Sequence, residues 1–329
     1  MKLDFERDKS EKKLSLPADC PETIIYVFLD GIGLGRYNTE SNPFARFNSH
    51  FFSPLGGKAS FPEDGVIIET DAHMGIKGLP QSATGQTALF TGHNGPEIMG
   101  RHVNGFPTYS PRPYLKQASL LKILRENGLR STLLNSYSEM YLRRLQRPKF
   151  ERLLSASSHM QISSEQPFFS LDDYQAGRSM YMDITNWFLR KHGFDIEPVK
   201  PKESGRKLVR IARDYNLVVY EYFFTDKTGH EQSMGMARRI LPHIEGLLEG
   251  VWEELDPEKE LFILSSDHGN FEDLSVKTHT NSKVGTIAYG KGQNSLIQNV
   301  KNLYDIPRQI MSMYGIDWHQ LPVVEEAAS

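Results

Sequence analysis

The chain has a single cysteine, Cys20, in 329 residues, so it can form neither an intrachain disulfide nor a thiolate metal cluster. No run of about eighteen apolar residues occurs, which argues against a membrane-spanning helix. Positive charge is not in excess either. Thirty-eight Lys and Arg face 41 Asp and Glu, a formal net charge of -3, so no electrostatic footprint for nucleic acid is expected. The first twenty residues, MKLDFERDKSEKKLSLPADC, alternate in charge and lack the apolar centre of a signal peptide. This predicts a cytoplasmic protein with a loosely ordered polar extension over 1–22. A dinucleotide fingerprint is also missing. In VFLDGIGLGR, Gly31, Gly33 and Gly35 give G-x-G-x-G, Arg36 takes the third glycine's place, and polar YNTESNPF follows where a helix should begin.

Hydrophobic content of 39% and charged content of 24% suit a folded chain able to bury a large core. Short apolar runs rich in β-branched and aromatic residues alternate with segments of helical period, predicting an α/β fold with a mainly parallel central sheet and helices on both faces. Three of these runs lead to aspartate: IIYVFL to Asp30, VVYEYFFT to Asp226, and LFILSS to Asp267. Ligands of open α/β sheets bind beyond the carboxyl ends of the strands, so three such carboxylates can converge on one place. His230 stands four residues after Asp226, His268 directly after Asp267, and His279 follows in KTHTN. A lone Asp-Gly is ordinarily a turn and a lone histidine ordinarily a hydrogen-bonded residue; it is the recurrence at three strand ends that carries the reading. Mixed carboxylate and imidazole donors suit two divalent ions, Mn2+ or Zn2+. Gly31 and Gly33 would then let backbone pass close to a metal and its substrate.

The segment GLPQSATGQTALFTGHN, Gly78 to Asn94, reads as a helix approached by Pro80 and stopped by Gly92, with Ser82, Thr84 and Thr87 in its first turns. A hydroxyl at a helix N-terminus is well placed for phosphate oxygens, but serine needs a base or a metal to take its proton. Two dications, three carboxylates and one alkoxide sum to zero charge, leaving a site able to accept an anionic ester.

With these motifs in hand, the chain resembles the alkaline phosphatase superfamily, and within it the branch of cofactor-independent phosphoglycerate mutase and phosphopentomutase. The matching stretches are LDGIG, QSATGQ, TDKTGH, SDHGNFED and HTNSKVGTIAYG, in the superfamily's order. The resemblance implies one metal held by Asp226, His230 and His279, and a second by Asp30, Asp267, His268 and the nucleophile oxygen. It aligns Ser82 with the attacking hydroxyl, with Thr84 the alternative. Two departures stand out: His279 is followed by TNSKVG where the mutases show HT-x-N-P-V-P, and Gln86 stands where they commonly have histidine.

The mutases' cap is a substantial inserted domain, whereas here the insertion reads as short. The core is expected over 23–154 and 206–329, with 155–205 a small lid or an oligomer contact, such as that of a homodimer. Arg101 and His102, after the nucleophile helix, and Arg144 in the basic run with Arg143, Arg147 and Arg152, are candidates for substrate phosphate contact. The Met234–Leu255 stretch and the helix from Asp305 to Gly315 read as structural. The expected function is a two-metal phosphohydrolase acting on a small phosphorylated metabolite through a phosphoserine. A phosphomutase, or a metal-stabilised binding protein without turnover, are the alternatives.

Overall fold

The computed structural model describes residues 16–52, 62, 64–107, 111–145 and 147–325. The extension expected over 1–22 lies outside the described residues up to residue 15, as does the side chain of Arg152. The strands are β1 Thr23–Leu29, β2 Val66–Thr70, β3 Ser131–Leu133, β4 Ser136–Tyr137, β5 Phe169–Ser170, β6 Leu217–Tyr222, β7 Glu260–Ser265 and β8 Val284–Gly290. Six of them form one sheet in the order β2-β8-β7-β1-β6-β3. β1 lies at its middle, parallel to β6 on one side and to β7 on the other, and β3 is parallel to β6. Only β8 runs against the rest, pairing antiparallel with both β7 and β2.

Both faces of this sheet are covered, which is why the central strands read as unbroken apolar runs instead of alternating ones. Ile24, Tyr26 and Phe28 of β1 point into one core with Leu89 and Phe90 of the helix Ser82–Thr91 and with Leu217 and Val219 of β6. Ile25, Val27 and Leu29 point into the other, with Val218, Tyr220 and Tyr222 and the long helix Met234–Glu254. That helix and Asp305–Met313 fall where the periodicity puts them.

The segment expected as a lid, 155–205, does not begin apart from the core. Its first helix, Ala156–Ser163, buries Ala156 and Met160 in the same cluster as Phe28 and Phe90, and the Gln161 side-chain oxygen Oε1 accepts the Leu133 N–H of β3 at 2.9 Å. Further along, Met180 and Ile184 join the opposite core. The alternation of serine with single apolar residues in this stretch hid the burial, because the serines bond to one another instead of to water.

His159 of this helix is 2% exposed and its Nε2 has no hydrogen-bond partner. Burial, with help from Arg112 and Lys116, pushes its pKa down to about 4. The unfolded chain protonates this ring below about 6.5 and the folded chain does not until about 4, so folding stability falls as pH drops through that window. The contribution at stake is about 3 kcal/mol. Urea denaturation of His159→Phe should therefore show a shallower loss of stability than the parent between pH 6.5 and 4; equal slopes would mean that His159 is protonated in the folded state.

Candidate metal centre

The site lies beyond the carboxyl ends of the three central strands. β1 ends at Leu29 and Asp30 follows at once, its N–H on the Tyr222 carbonyl at 2.9 Å. The next residue, Gly31, has φ +73, and a Cβ there would stand 2.9 Å from Asp226, so only glycine lets these two loops close on each other. β7 ends at Ser265, and Asp267 and His268 sit two and three residues on, both fully buried.

Asp226 departs from the expected strand-end position. β6 stops at Tyr222, and Phe224–His230 is a short helix with Asp226 in its first turn. The Thr225 hydroxyl donates to the Asp30 carbonyl and turns the chain over the site. A helix puts residues four apart on one face, which is why Asp226 and His230 meet, Oδ2 to Nε2 at 3.3 Å. His279 closes the group with its Nε2 3.6 Å from Asp226 Oδ1 and 3.3 Å from His230 Nε2. The Nδ1 atoms of His279 and His230 face the carbonyls of Pro80 (2.9 Å) and Lys277 (2.8 Å), so each ring directs Nε2 at the common point.

On the other side, His268 Nε2 lies 3.4 Å from Asp30 Oδ1, 3.5 Å from Asp267 Oδ2 and 2.9 Å from Ser82 Oγ. The His268 and His279 rings stack with centroids 3.6 Å apart. Burial holds both pKa values down to about 4, so at neutral pH each presents a lone pair and no charge. Burial and neighbouring carboxylates push the other way on the acids: Asp30 rises well above the usual carboxylate range, and Asp267 to about 7.

Within 4.8 Å of one another lie ligand atoms of two sets, Asp226, His230 and His279, and Asp30, Asp226 and His268. Asp226 thus belongs to both, whereas Asp267, expected in the second set, is engaged elsewhere: its Oδ2 accepts from Gln86 Nε2 at 3.0 Å and its Oδ1 from the Gly31 N–H at 3.3 Å. Asp30 Oδ1 is buried without a hydrogen-bond partner. Among the described residues, no Lys or Arg is paired with any of these acids. An orphaned carboxylate oxygen and converging imidazole nitrogens fit a pair of divalent ions such as Zn2+ or Mn2+.

Ser82 opens its helix, whose N-cap, Gln81, makes no side-chain cap bond. Thr84, the alternative hydroxyl, is fully buried and spent in the helix's first turn, donating to the Gln81 carbonyl at 3.1 Å and accepting from the Val103 N–H at 3.3 Å. It does not face the ligands, so Ser82 is the hydroxyl the fold brings to them. Arg101 and His102 line a hollow of about 460 Å³ with Lys77 and Gln81, beside the helix Ser82–Thr91. Arg144 lies on the exposed helix Glu139–Leu145, where its guanidinium meets Met140 Sδ at 3.7 Å, and the structure does not bring it to the centre.

Two residues that hold the centre were not singled out from sequence, though both stand in SDHGNFED. Glu272, 1% exposed, accepts the N–H groups of Gly33 at 2.9 Å and Asn270 at 2.8 Å, and the Thr280 hydroxyl. One carboxylate thereby ties together the loops carrying Asp30, His268 and His279. Asn270 Nδ2 donates to Asp226 Oδ1 at 2.7 Å. The spacing of acid to histidine drew attention to ligands, while these partners are mostly backbone amides with no sequence signal of their own.

Residues 192–317 match the metalloenzyme superfamily, a span holding Asp226, His230, Asp267, His268 and His279. The 2,3-bisphosphoglycerate-independent phosphoglycerate mutase of Paracoccus denitrificans (strain Pd 1222) is 26% identical over 133 residues, 38% of this chain. The match spans about a quarter of that mutase's length (26%). Among solved structures, the alkaline phosphatase of the Antarctic bacterium TAB5 superposes with a TM-score of 0.50 at 14% identity, over 92% of this chain and 100% of that one. The cold-active alkaline phosphatase of Shewanella sp. gives 0.53 at 11% identity, over 88% and 99%. Residues 192–317 are thus similar to the metalloenzyme superfamily, and the fold is alkaline phosphatase-like. No described helix is long and apolar enough to cross a membrane.

Crowded carboxylates predict a trade between stability and metal binding. With chelator present at pH 8, Asp30→Asn should melt about 2 °C or more above the parent, because a neutral amide replaces a buried, repelled carboxylate. With Zn2+ or Mn2+ the order should reverse. Calorimetry of both proteins in both buffers decides it, and a lower melting point for the variant under chelation would show that the acids do not repel.

Proposed function

We propose that the protein is a two-metal phosphohydrolase that cleaves a small phosphomonoester through a phosphoserine at Ser82. The observation that carries this reading is the Ser82 Oγ to His268 Nε2 contact of 2.9 Å, on the same nitrogen that faces Asp30. A metal-stabilised binding protein would have no use for a hydroxyl at that point.

Two bound dications would neutralise the phosphoryl charge and lower the pKa of the attacking hydroxyl and, later, of a water. His230, Asp226 and His279 would hold one, and Asp30 and His268 the other, with Asp267 within reach. Ser82 attacks phosphorus as the bond to the leaving oxygen breaks, and the helix it opens turns its N-terminal end, where positive partial charge gathers, towards the transferred group. Water then attacks the phosphoserine, restoring the hydroxyl and releasing phosphate. The centre opens to solvent on the side of His230, whose side chain is 42% exposed, so water reaches the intermediate from there.

The similarity to a phosphoglycerate mutase supports a second reading, a phosphomutase that returns the phosphoryl group to a retained product. Hydrolysis is favoured because the stretch expected to cap the site begins as a core helix, Ala156–Ser163.

Metal-stripped protein reloaded with Mn2+ or Zn2+ should release stoichiometric phosphate from one or more members of a phosphorylated metabolite panel. Isomerisation without phosphate release would favour the mutase. Ser82→Ala should lose about a thousandfold or more in kcat, and Thr84→Val far less. A loss of only a few-fold at Ser82 removes it as nucleophile.

A further inference from the structure

Gln86 stands where it can decide how the centre fills. It is 7% exposed, one helical turn after Ser82, and its single Nε2 donates both to Asp30 Oδ2 at 3.3 Å and to Asp267 Oδ2 at 3.0 Å. An amide nitrogen carries two protons, so it can satisfy both carboxylates at once. The oxygen of Asp267 nearest His268 is therefore already engaged. Among the described residues no corresponding donor stands between His230 and His279, whose Nε2 atoms face each other at 3.3 Å. Asp226 Oδ1 is held by Asn270 at 2.7 Å, while its Oδ2 faces His230 at 3.3 Å.

We propose that Gln86 makes the two cation positions unequal: the position between Asp226, His230 and His279 fills first, and the position at Asp30, His268 and Asp267 fills second and more weakly. A cation entering the second position with both carboxylates must displace the amide from Asp267 Oδ2, the oxygen that faces His268, whereas at the first position Asn270 holds Asp226 Oδ1 and leaves Oδ2 beside His230 to the ion. Gln86 is accordingly a positioning residue, holding Asp30 and Asp267 side by side until the second ion arrives. The inference rests on the two-ion reading of the centre but not on the identity of the substrate or on turnover.

The test is a titration of chelator-stripped full-length protein with Mn2+, counting free ion by electron paramagnetic resonance, and with Zn2+ by a competing indicator. The expected parent behaviour is two steps, the second at least about tenfold weaker. Gln86→Met, which keeps the bulk and removes the donor, should tighten the second step by about tenfold and leave the first unchanged. Gln86→His, which offers a lone pair in place of N–H, should do the same, and it keeps the test open if the methionine variant does not fold by circular dichroism. Two equal steps in the parent, or a second step unmoved in the folded variants, overturn the proposal while leaving a two-ion centre intact. Failure of the parent to bind any ion overturns both.

Discussion

A buried set of acids without a basic partner is the constraint around which this molecule is arranged. Asp267 is fully buried and Asp30 nearly so, yet among the described residues neither is paired with Lys or Arg, and the histidines beside them are held neutral. Removing an ionised carboxylate from water without compensation is among the costliest things a fold can do. What makes the arrangement tolerable without metal is the rise in the acids' pKa, one Gln86 amide and the Gly31 N–H. Each is a partial remedy, and Asp30 Oδ1 has none. The donor set is one that a divalent cation would complete.

Holding such a set in place is a separate problem, because the ligands come from loops, and loops are where a chain is least constrained. The solution is mechanical. Each loop leaves a strand of one tightly paired parallel block, so its origin is fixed by β1, β6 or β7. Glu272 then ties the far ends, accepting from Gly33, Asn270 and Thr280 within a space so close that a Cβ at Gly33 would stand 2.4 Å from its carboxylate. The helix carrying Ser82 is fitted in the same way: a Cβ at Gly85 would meet the Asp267 carbonyl at 2.8 Å. Backbone hydrogen bonding and close approach, more than side-chain packing, set the geometry of the centre.

Much of this was legible in the sequence, and what was not has a physical reason. The parallel sheet and the convergence of Asp30 and Asp267 follow from apolar runs buried on both faces and from the rule that ligands gather at strand ends. Local preference puts Asp226 at a strand end, because FFT continues an aromatic, β-branched run; the tertiary contact from Thr225 to Asp30 accompanies a short helix there instead. The helix Ala156–Ser163 was missed for the opposite reason. Its serines look solvent-exposed but satisfy one another, and Ser157 donates to the buried Glu221 at 2.6 Å. Glu272 and Asn270 were out of reach because their roles are defined by partners that no spacing rule encodes, and Gln86 stands out in sequence only as occupying a place where the mutases commonly have histidine.

The uneven burial of the centre also bears on the kind of chemistry proposed for it. His268 and Asp267 lie at zero exposure beside the helix Ser82–Thr91, whereas the His230 side chain is open. A phosphoryl group entering from the His230 side would meet its electrostatic partners progressively, with Ser82 and the deepest ligands last. Low dielectric at the closed end strengthens interactions with charge developing there, and the open end admits the water that hydrolysis requires. An enzyme that must retain its product needs the reverse, a closed entrance. The reading as a hydrolase therefore draws on the direction of this burial gradient as well as on the identity of the ligands, and sequence cannot display such a gradient because it belongs to no single residue.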